Sequence, residues 1–197
     1  MSGKKQHVQM FRKIALRRKI MELSGITTGN IFVPFIGDGD IASQMYPGFH
    51  VYGADLDPAR VRMAEGRING QAIVADCNFF PEAFENKGKY AAADFDAYSD
   101  PYKSFVSFWS KAEKEDKMFL FFTDGHRMGT IRTGWFHKPD GSKEKLETLK
   151  ERRQVFNFYL PRYVMPWFEE FIKPYKIIHT KKYLRGMMIY WGAVIEK

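Results

Sequence analysis

The stretch Asn30–Pro58, N-I-F-V-P-F-I-G-D-G-D-I-A-S-Q-M-Y-P-G-F-H-V-Y-G-A-D-L-D-P, reads as strand, glycine turn, helix, strand and acidic tip. Ile31–Ile36 is a short apolar run, the pattern of a strand buried on both faces. Gly37 and Gly39 then permit positive φ and a close backbone approach to a ligand. Asp40 is placed to cap a helix across Ile41–Met45, which Pro47-Gly48 ends. His50–Ala54 is a second apolar run, closing on Asp55 and Asp57. A carboxylate beyond the second strand, about 20 residues after a glycine turn, stands where a ribose hydroxyl pair is bound. The stretch is therefore a candidate adenosine half-site.

It is not a dinucleotide fingerprint. G-x-G-x-x-G needs a third glycine at position 42, which is Ala42. Asp38 and Asp40 put negative charge where a pyrophosphate would rest at a helix N-terminus. A ligand with adenosine, a positive charge and no phosphate fits better, and S-adenosylmethionine is one. Here the sequence resembles the class I S-adenosylmethionine-dependent methyltransferases. Their first motif runs acidic-x-Gly-x-Gly-x-Gly, with an acidic residue ending the second strand. Gly37 and Gly39 match; Phe35 replaces the acidic residue and Ile41 the last glycine. The resemblance implies cofactor contacts from Gly37, Asp38, Gly39, Asp55 and Leu56. Asp57 competes with Asp55 for the ribose, and the family's G-x-Asp-x-x-Pro pattern over Gly53–Pro58 favours Asp55.

Composition bounds the alternatives. A chain of 197 residues can bury a sizeable core as one domain. With 45% hydrophobic and 27% charged residues it reads as an ordinary globular protein, and no apolar run approaches a membrane span. Met1–Arg12 lacks the apolar centre of a signal peptide. Cys77 is the one cysteine, which excludes an intrachain disulfide and argues against a zinc cluster. A soluble cytoplasmic protein without a metal centre is expected. The net charge of +8 favours a polyanionic partner, nucleic acid first, with oligomeric state left open.

Before the opening stretch, Met1–Thr28 carries Lys4, Lys5, Arg12, Lys13, Arg17, Arg18 and Lys19. Phe11, Ile14, Ala15, Ile20 and Leu23 form a helical stripe that Ser24-Gly25 stops. This predicts a helix covering one edge of the sheet. Its basic face is open between a solvated surface and a phosphate-contacting arm.

After it, Pro58 starts a helix running to about Arg67, and Asn69-Gly70 is a turn. Gln71–Ala75 is a third strand ending at Asp76. In the family an acid there binds the adenine amine, so the resemblance assigns Asp76 and Cys77 to the cofactor. The plainer reading has Asp76 capping Phe79–Phe84. Tyr90–Phe95 is a fourth strand, leading into D-F-D-A-Y-S-D-P-Y over Asp94–Tyr102. Asp94 is costly within an apolar strand. Amino-methyltransferases of nucleobases carry Asp/Asn-Pro-Pro-aromatic here, and the tRNA guanine dimethyltransferases carry Asp-Pro-Phe-Gly-Ser-Pro. Asp96-Ala97-Tyr98-Ser99-Asp100-Pro101 is similar to the latter. The resemblance implies that Asp96 accepts a hydrogen bond from an exocyclic amine and that Tyr98 stacks on the base. Asp94 either assists or meets the methionine amine. The plainer reading is a turn rich in turn formers.

Ser104–Glu115 is helical, with Phe105, Phe108 and Trp109 facing the core. Lys117–Thr123 is a fifth strand tipped by Asp124-Gly125-His126-Arg127, where His126 is either a substrate contact or merely exposed. Residues 124–152 read as an insertion over the site, where Trp135 and Phe136 either stack a base or anchor locally. Arg153–Lys173 is a helix interrupted by Pro161 and Pro166. Tyr175–Leu184 and Met187–Ile195 form a hairpin around Arg185-Gly186. The expected architecture is an α/β Rossmann-like methyltransferase fold over residues 1–197, a mostly parallel seven-stranded sheet with a C-terminal antiparallel hairpin. The expected activity is methyl transfer from S-adenosylmethionine to an exocyclic amine of a nucleic-acid base. Three rivals stand beside it: a small-molecule or protein methyltransferase, a non-catalytic nucleic-acid-binding protein, and an NAD-linked oxidoreductase.

Overall fold

The computed structural model describes the backbone of residues 3–197 and the side chains of residues 10–184 and 186–197. Lys4 and Lys5, read above as part of a basic face, lie outside the described side chains. In chain order the elements are α1 (Gly3–Ser24), β1 (Gly29–Pro34), α2 (Asp40–Met45), β2 (Phe49–Asp55), α3 (Pro58–Glu65) and β3 (Gly70–Val74). There follow β4 (Tyr90–Phe95), α4 (Tyr102–Lys111), β5 (Lys114–Asp124), α5 (His126–Thr133), β6 (Trp135–His137) and β7 (Lys143–Lys145). The chain closes with α6 (Leu149–Phe158), α7 (Met165–Phe171), β8 (Lys176–Arg185) and β9 (Met188–Glu196).

Seven strands form one sheet in the order β3-β2-β1-β4-β5-β9-β8. β1 to β5 pair in parallel, and β9 runs antiparallel to both β5 and β8. The expected C-terminal hairpin thus closes the sheet, turning at Gly186. Strand order reverses between β1 and β4, so the carboxyl ends of β1, β2 and β4 open onto a topological switch point.

The side-chain period of two divides the core into two layers. Ile31 and Val33 of β1, with Phe119 and Phe121 of β5, face α1, α2 and α3. Phe32, Leu120 and Phe122 face the other way, toward α4, α6 and α7. That second layer is strongly aromatic: Phe32 stacks on Phe108 and Phe122 on Trp191, at ring separations of 5.5 and 4.2 Å.

The leading helix differs from expectation. It lies across the face made by β5, β9 and β8 rather than along an edge. Leu16 and Ile20 are its buried apolar residues among those described, while Phe11 is 71% exposed. The reason is chemical: the face that turns inward also carries Arg17, which the apolar stripe alone did not reveal. Its end is as expected, with the Ser24 hydroxyl donating to the Met21 carbonyl and Gly25 at φ 68°. Asp40 does not cap α2; Gly39 holds the cap position, and the Asp40 carboxylate pairs with Arg67. The long helix expected after Arg153 is divided by a π-helical turn over Tyr159–Val164, where Pro161 lacks a backbone donor.

Ile20 is fully buried, and its Cγ1 would lie 3.1 Å from a Cβ placed at Gly192 of β9. Ile20→Ala should therefore open a cavity between α1 and the sheet and lower stability by about 2–5 kcal/mol, read from urea denaturation midpoints.

Candidate active site

The glycine turn leaves β1 through a strained residue. Phe35 has φ 62°, a left-handed conformation costing a bulky side chain about 1–3 kcal/mol. Three hydrogen bonds hold the turn against that strain. Ile36 N–H donates to the Ala54 carbonyl at 3.0 Å and Gly39 N–H to the Ile36 carbonyl at 3.1 Å. Gly37 N–H donates to Asp55 Oδ2 at 3.1 Å. Gly37, at φ 56°, has open space where a Cβ would point, so the turn leaves room beside the cavity it lines.

Asp55 is the acid that couples the turn to β2. Its Oδ1 accepts from Asp57 N–H at 2.9 Å. Asp57 itself caps α3, accepting from Ala59 N–H at 2.9 Å. Asp57 thus serves the helix and Asp55 the turn. The negative field expected from Asp38 and Asp40 is partly balanced, because Arg67 donates to the Asp38 carbonyl at 3.0 Å and also pairs with Asp40, and Arg60 approaches Asp38 at 4.0 Å.

Across β2 and β3, Asp55 stands in register with Val74, so Leu56 and Asp76 leave the same edge of neighbouring strands. Leu56 is 67% exposed. Asp76 accepts from the backbone and side-chain nitrogens of Asn78, both at 2.9 Å, and caps no helix; the next helical turn starts at Glu82. Cys77 is buried, its Sγ 3.5 Å from the Ala54 carbonyl, and burial pushes its thiol up to about 11. The thiol therefore packs against β2 as a neutral group.

The fourth strand ends differently from the expectation. Asp94 faces α1, and Arg17 meets it in a bidentate pair, Nε–Oδ2 2.7 Å and Nη2–Oδ1 2.6 Å. The Tyr46 hydroxyl donates to Asp94 Oδ2 at 2.6 Å. Both charged residues are buried, so Arg17 is not part of a phosphate-contacting arm and Asp94 is engaged inside the fold. Burial opposes the Arg17 charge, but Asp94 and Asp96 outweigh it and raise its pKa. Asp96 receives Lys13 Nζ at 2.5 Å and Arg17 Nη2 at 3.2 Å. Lys13 and Arg17 are one helical turn apart, which puts both cations on one face. A cavity of about 270 Å³ lies between the glycine turn and these carboxylates, lined by Met10, Phe35, Gly37, Asp38, Asp94 and Asp96 among others. Tyr98, two residues on, is 86% exposed.

The tip of β5 adds a polar network that sequence reasoning resolved only as far as His126. His126 Nε2 lies 3.3 Å from Asp100 Oδ2, and its Nδ1 lies 3.3 Å from the Tyr159 hydroxyl. Buried Asp124 accepts from His126 N–H at 2.7 Å and from the Tyr102 hydroxyl. Burial disfavours the imidazolium, but Asp100 and Asp124 outweigh it and raise the His126 pKa. Lys13, Tyr46, Tyr102 and Tyr159 were missed. The signal that was available is Asp94 itself: a carboxylate in an apolar strand requires a cation, and Arg17 is the cation whose neighbours Leu16 and Ile20 are apolar.

No protein-family model and no curated protein matches the sequence. Solved structures do match in fold. Magnesium protoporphyrin IX methyltransferase from Synechocystis PCC 6803, with bound SAH, superposes with TM-score 0.57 at 11% identity over 96% of this chain and 83% of that one. The N-methyltransferase NodS from Bradyrhizobium japonicum WM9, with S-adenosyl-L-homocysteine, gives 0.54 at 9% identity over 98% and 86%. TrmN from Thermus thermophilus gives 0.53 at 15% identity over 95% of this chain and 52% of that one. The architecture is the α/β Rossmann-like methyltransferase fold.

Two measurements test the ion-pair cluster. Arg17→Ala strands a buried carboxylate and should cost about 3–5 kcal/mol in urea denaturation. For Asp96, burial raises the pKa, but Arg17 and Lys13 outweigh it and hold the group below its ordinary value. Its stabilisation is present above about pH 4 and is lost as pH falls through the lowered folded value. Asp96→Asn should remove that share of the acid dependence, seen as a smaller loss of urea midpoint between about pH 5 and pH 2.

Proposed function

We propose that the chain is an S-adenosylmethionine-dependent methyltransferase whose acceptor is an exocyclic amine of a nucleic-acid base. The observation that supports this reading is the row of groups at the carboxyl ends of neighbouring strands: Asp76 after β3, Asp55 at the end of β2 bonded to the glycine turn after β1, and Asp96 after β4 with exposed Tyr98, the turn and Asp96 lining a cavity of about 270 Å³. The donor set suits the cofactor. Asp38, whose carboxylate has no cation nearer than Arg60 at 4.0 Å, lines the cavity and favours a cation, while Asp94 and Asp96 line it already paired with Arg17 and Lys13, and Gly37 leaves space beside it. When bound, S-adenosylmethionine supplies an electrophilic methyl group on a sulfonium.

The chain supplies positioning. Gly37, Asp38 and Gly39 offer backbone to the cofactor, Asp55 holds the ribose hydroxyls, and Leu56 covers the adenine. Asp76, with Cys77 behind it, takes the adenine amine. Asp94 is a positioning residue that fixes α1 over the site. Asp96 accepts a hydrogen bond from the acceptor amine in place of Lys13 and keeps the nitrogen lone pair aimed at the methyl group. Tyr98 stacks on the base. Such a transfer depends on in-line approach more than on acid–base strength. The net charge of +8 supports a polyanionic acceptor. Residues 1–197 act as one methyltransferase domain, with 124–152 as the acceptor-facing insertion.

Calorimetry with S-adenosylhomocysteine, with NAD as control, tests the cofactor. Asp55→Asn should weaken that binding roughly tenfold or more, since a hydrogen bond to a charged group is worth about 1.5–3 kcal/mol; unchanged affinity overturns the ribose assignment. Labelled methyl transfer to total tRNA and to duplex DNA tests the acceptor. Asp96→Asn should abolish transfer while S-adenosylhomocysteine still binds, and retained turnover refutes its role. Tyr98→Ala should raise KM by roughly tenfold, the scale of one lost base stack.

One observation favours a second reading. Lys13 sits on Asp96, the arrangement expected if Asp96 were only structural and the protein bound nucleic acid without catalysis. That protein would bind oligonucleotide and transfer no methyl group to either acceptor pool.

A further inference from the structure

A second cavity, of about 490 Å³, opens beside the acceptor edge between the Ser99–Lys103 segment, α5 and the β6–β7 hairpin. Its walls are cationic. Lys103, Arg132, Lys138 and Lys143 line it, together with His126 and His137. Asp100 is the one acid among the lining residues, and it is already paired with His126. Lys138 pairs with Glu144 at 3.1 Å. Lys103, Arg132 and Lys143 have no ion-pair partner among the described residues, and all three are exposed. Like charges that converge without counter-charge raise the local potential and concentrate anions. The crowding registers on His137, whose pKa is lowered by burial first and then by His126 and Lys143.

One lining residue, His126, is held on three sides. His126 is fixed from both ring nitrogens by Asp100 and Tyr159, and its backbone N–H is held by Asp124. The cavity is also tied to the acceptor loop. Gly125 N–H donates to the Ser99 carbonyl at 2.9 Å, and a Cβ at Gly125 would lie 2.9 Å from the Tyr98 carbonyl. An adjoining cavity of about 430 Å³ shares Asp100, Lys103 and Gly141 and is walled by Phe79, Val106 and Pro139. A cationic chamber that reaches Ser99, next to Tyr98, and shares Lys103 with an apolar one matches a phosphate ester carrying a flat apolar group.

We infer that this cavity binds a backbone phosphate of the acceptor strand, next to the nucleotide that Tyr98 would hold, with Lys103, Arg132 and Lys143 as the phosphate ligands. This rests on the nucleic-acid reading of the acceptor. Free phosphate has the same chemistry, so the test separates the two sources.

The test compares the wild-type chain with Lys103→Gln/Arg132→Gln/Lys143→Gln. Binding of fluorescein-labelled single-stranded RNA and DNA oligonucleotides is read by anisotropy across a salt series, and binding of inorganic phosphate by calorimetry. Calorimetry with S-adenosylhomocysteine checks that the exposed substitutions leave the rest of the fold in place. The expected result is roughly tenfold weaker oligonucleotide binding and a salt slope shallower by about 0.7, the loss of one neutralised phosphate on a single strand, with S-adenosylhomocysteine affinity unchanged. Equal oligonucleotide binding and equal slope in the two proteins overturn the site and leave the proposed function standing. Wild-type binding of phosphate but of neither oligonucleotide, lost in the variant, keeps the anion site and overturns the nucleic-acid acceptor. Binding of none of these probes overturns both. A single substitution, Arg132→Gln, gives the same reading in smaller steps should the triple variant fail the S-adenosylhomocysteine control.

Discussion

The bidentate pair between Arg17 and Asp94 is the constraint on which the rest of the arrangement depends. An ionised carboxylate in the middle of an apolar sheet is tolerable only with a matched cation and filled hydrogen-bond positions. Arg17 supplies two donors and Tyr46 a third. Because Arg17 belongs to α1, meeting this requirement also decides where α1 lies. The helix comes down on the face of β5, β9 and β8, burying Leu16 and Ile20 as it does so. The same docking brings Met10 and Lys13 to the cavity at the end of β4. The N-terminal helix is thus a wall of the cavity, and among its described side chains Phe11, Arg12, Arg18 and Lys19 are exposed.

The opposite wall is built by a different balance. Phe35 takes a backbone conformation that a bulky residue avoids, and the turn is kept there by bonds from Ile36, Gly37 and Gly39 to β2 and to itself. Asp55 is central because it accepts from the turn and from the start of α3 at once. Strain held by surrounding structure is common where a ligand is gripped. Of the acids around the cavity, Asp40 pairs with Arg67, Asp94 with Arg17 and Asp96 with Lys13 and Arg17, so the least compensated carboxylate is Asp38, whose nearest cation, Arg60, stands 4.0 Å away.

Acidic and basic chemistry are separated along one sheet edge. The cavity near β1 and β4 is walled by carboxylates, and the one beyond β5 by lysine, arginine and histidine. The Asp96–Asp100 segment runs between them, with Tyr98 exposed at its middle. The strand-four loop thus lies between surroundings of opposite chemistry.

Outside residues 124–152, which read only as an insertion and hold α5, β6 and β7, local signals in the chain determined the element order. Apolar runs of strand length, the Gly37 and Gly39 turn, Pro58 at a helix start and the Gly186 turn are each written in a few neighbouring residues, and the seven-stranded sheet follows from their succession. The acids at strand ends were legible for the same reason, since Asp55, Asp76 and Asp96 each close an apolar run. What only the tertiary structure decided was pairing over distance. Arg17 and Asp94 are 77 positions apart, Lys13 and Asp96 are 83, and neither stretch carries a mark of its partner. A basic helix reads the same in sequence whether its cations face water, phosphate or a buried carboxylate. The face it turns inward is set by the fit of Leu16 and Ile20 to the sheet and by the charge that Asp94 requires there.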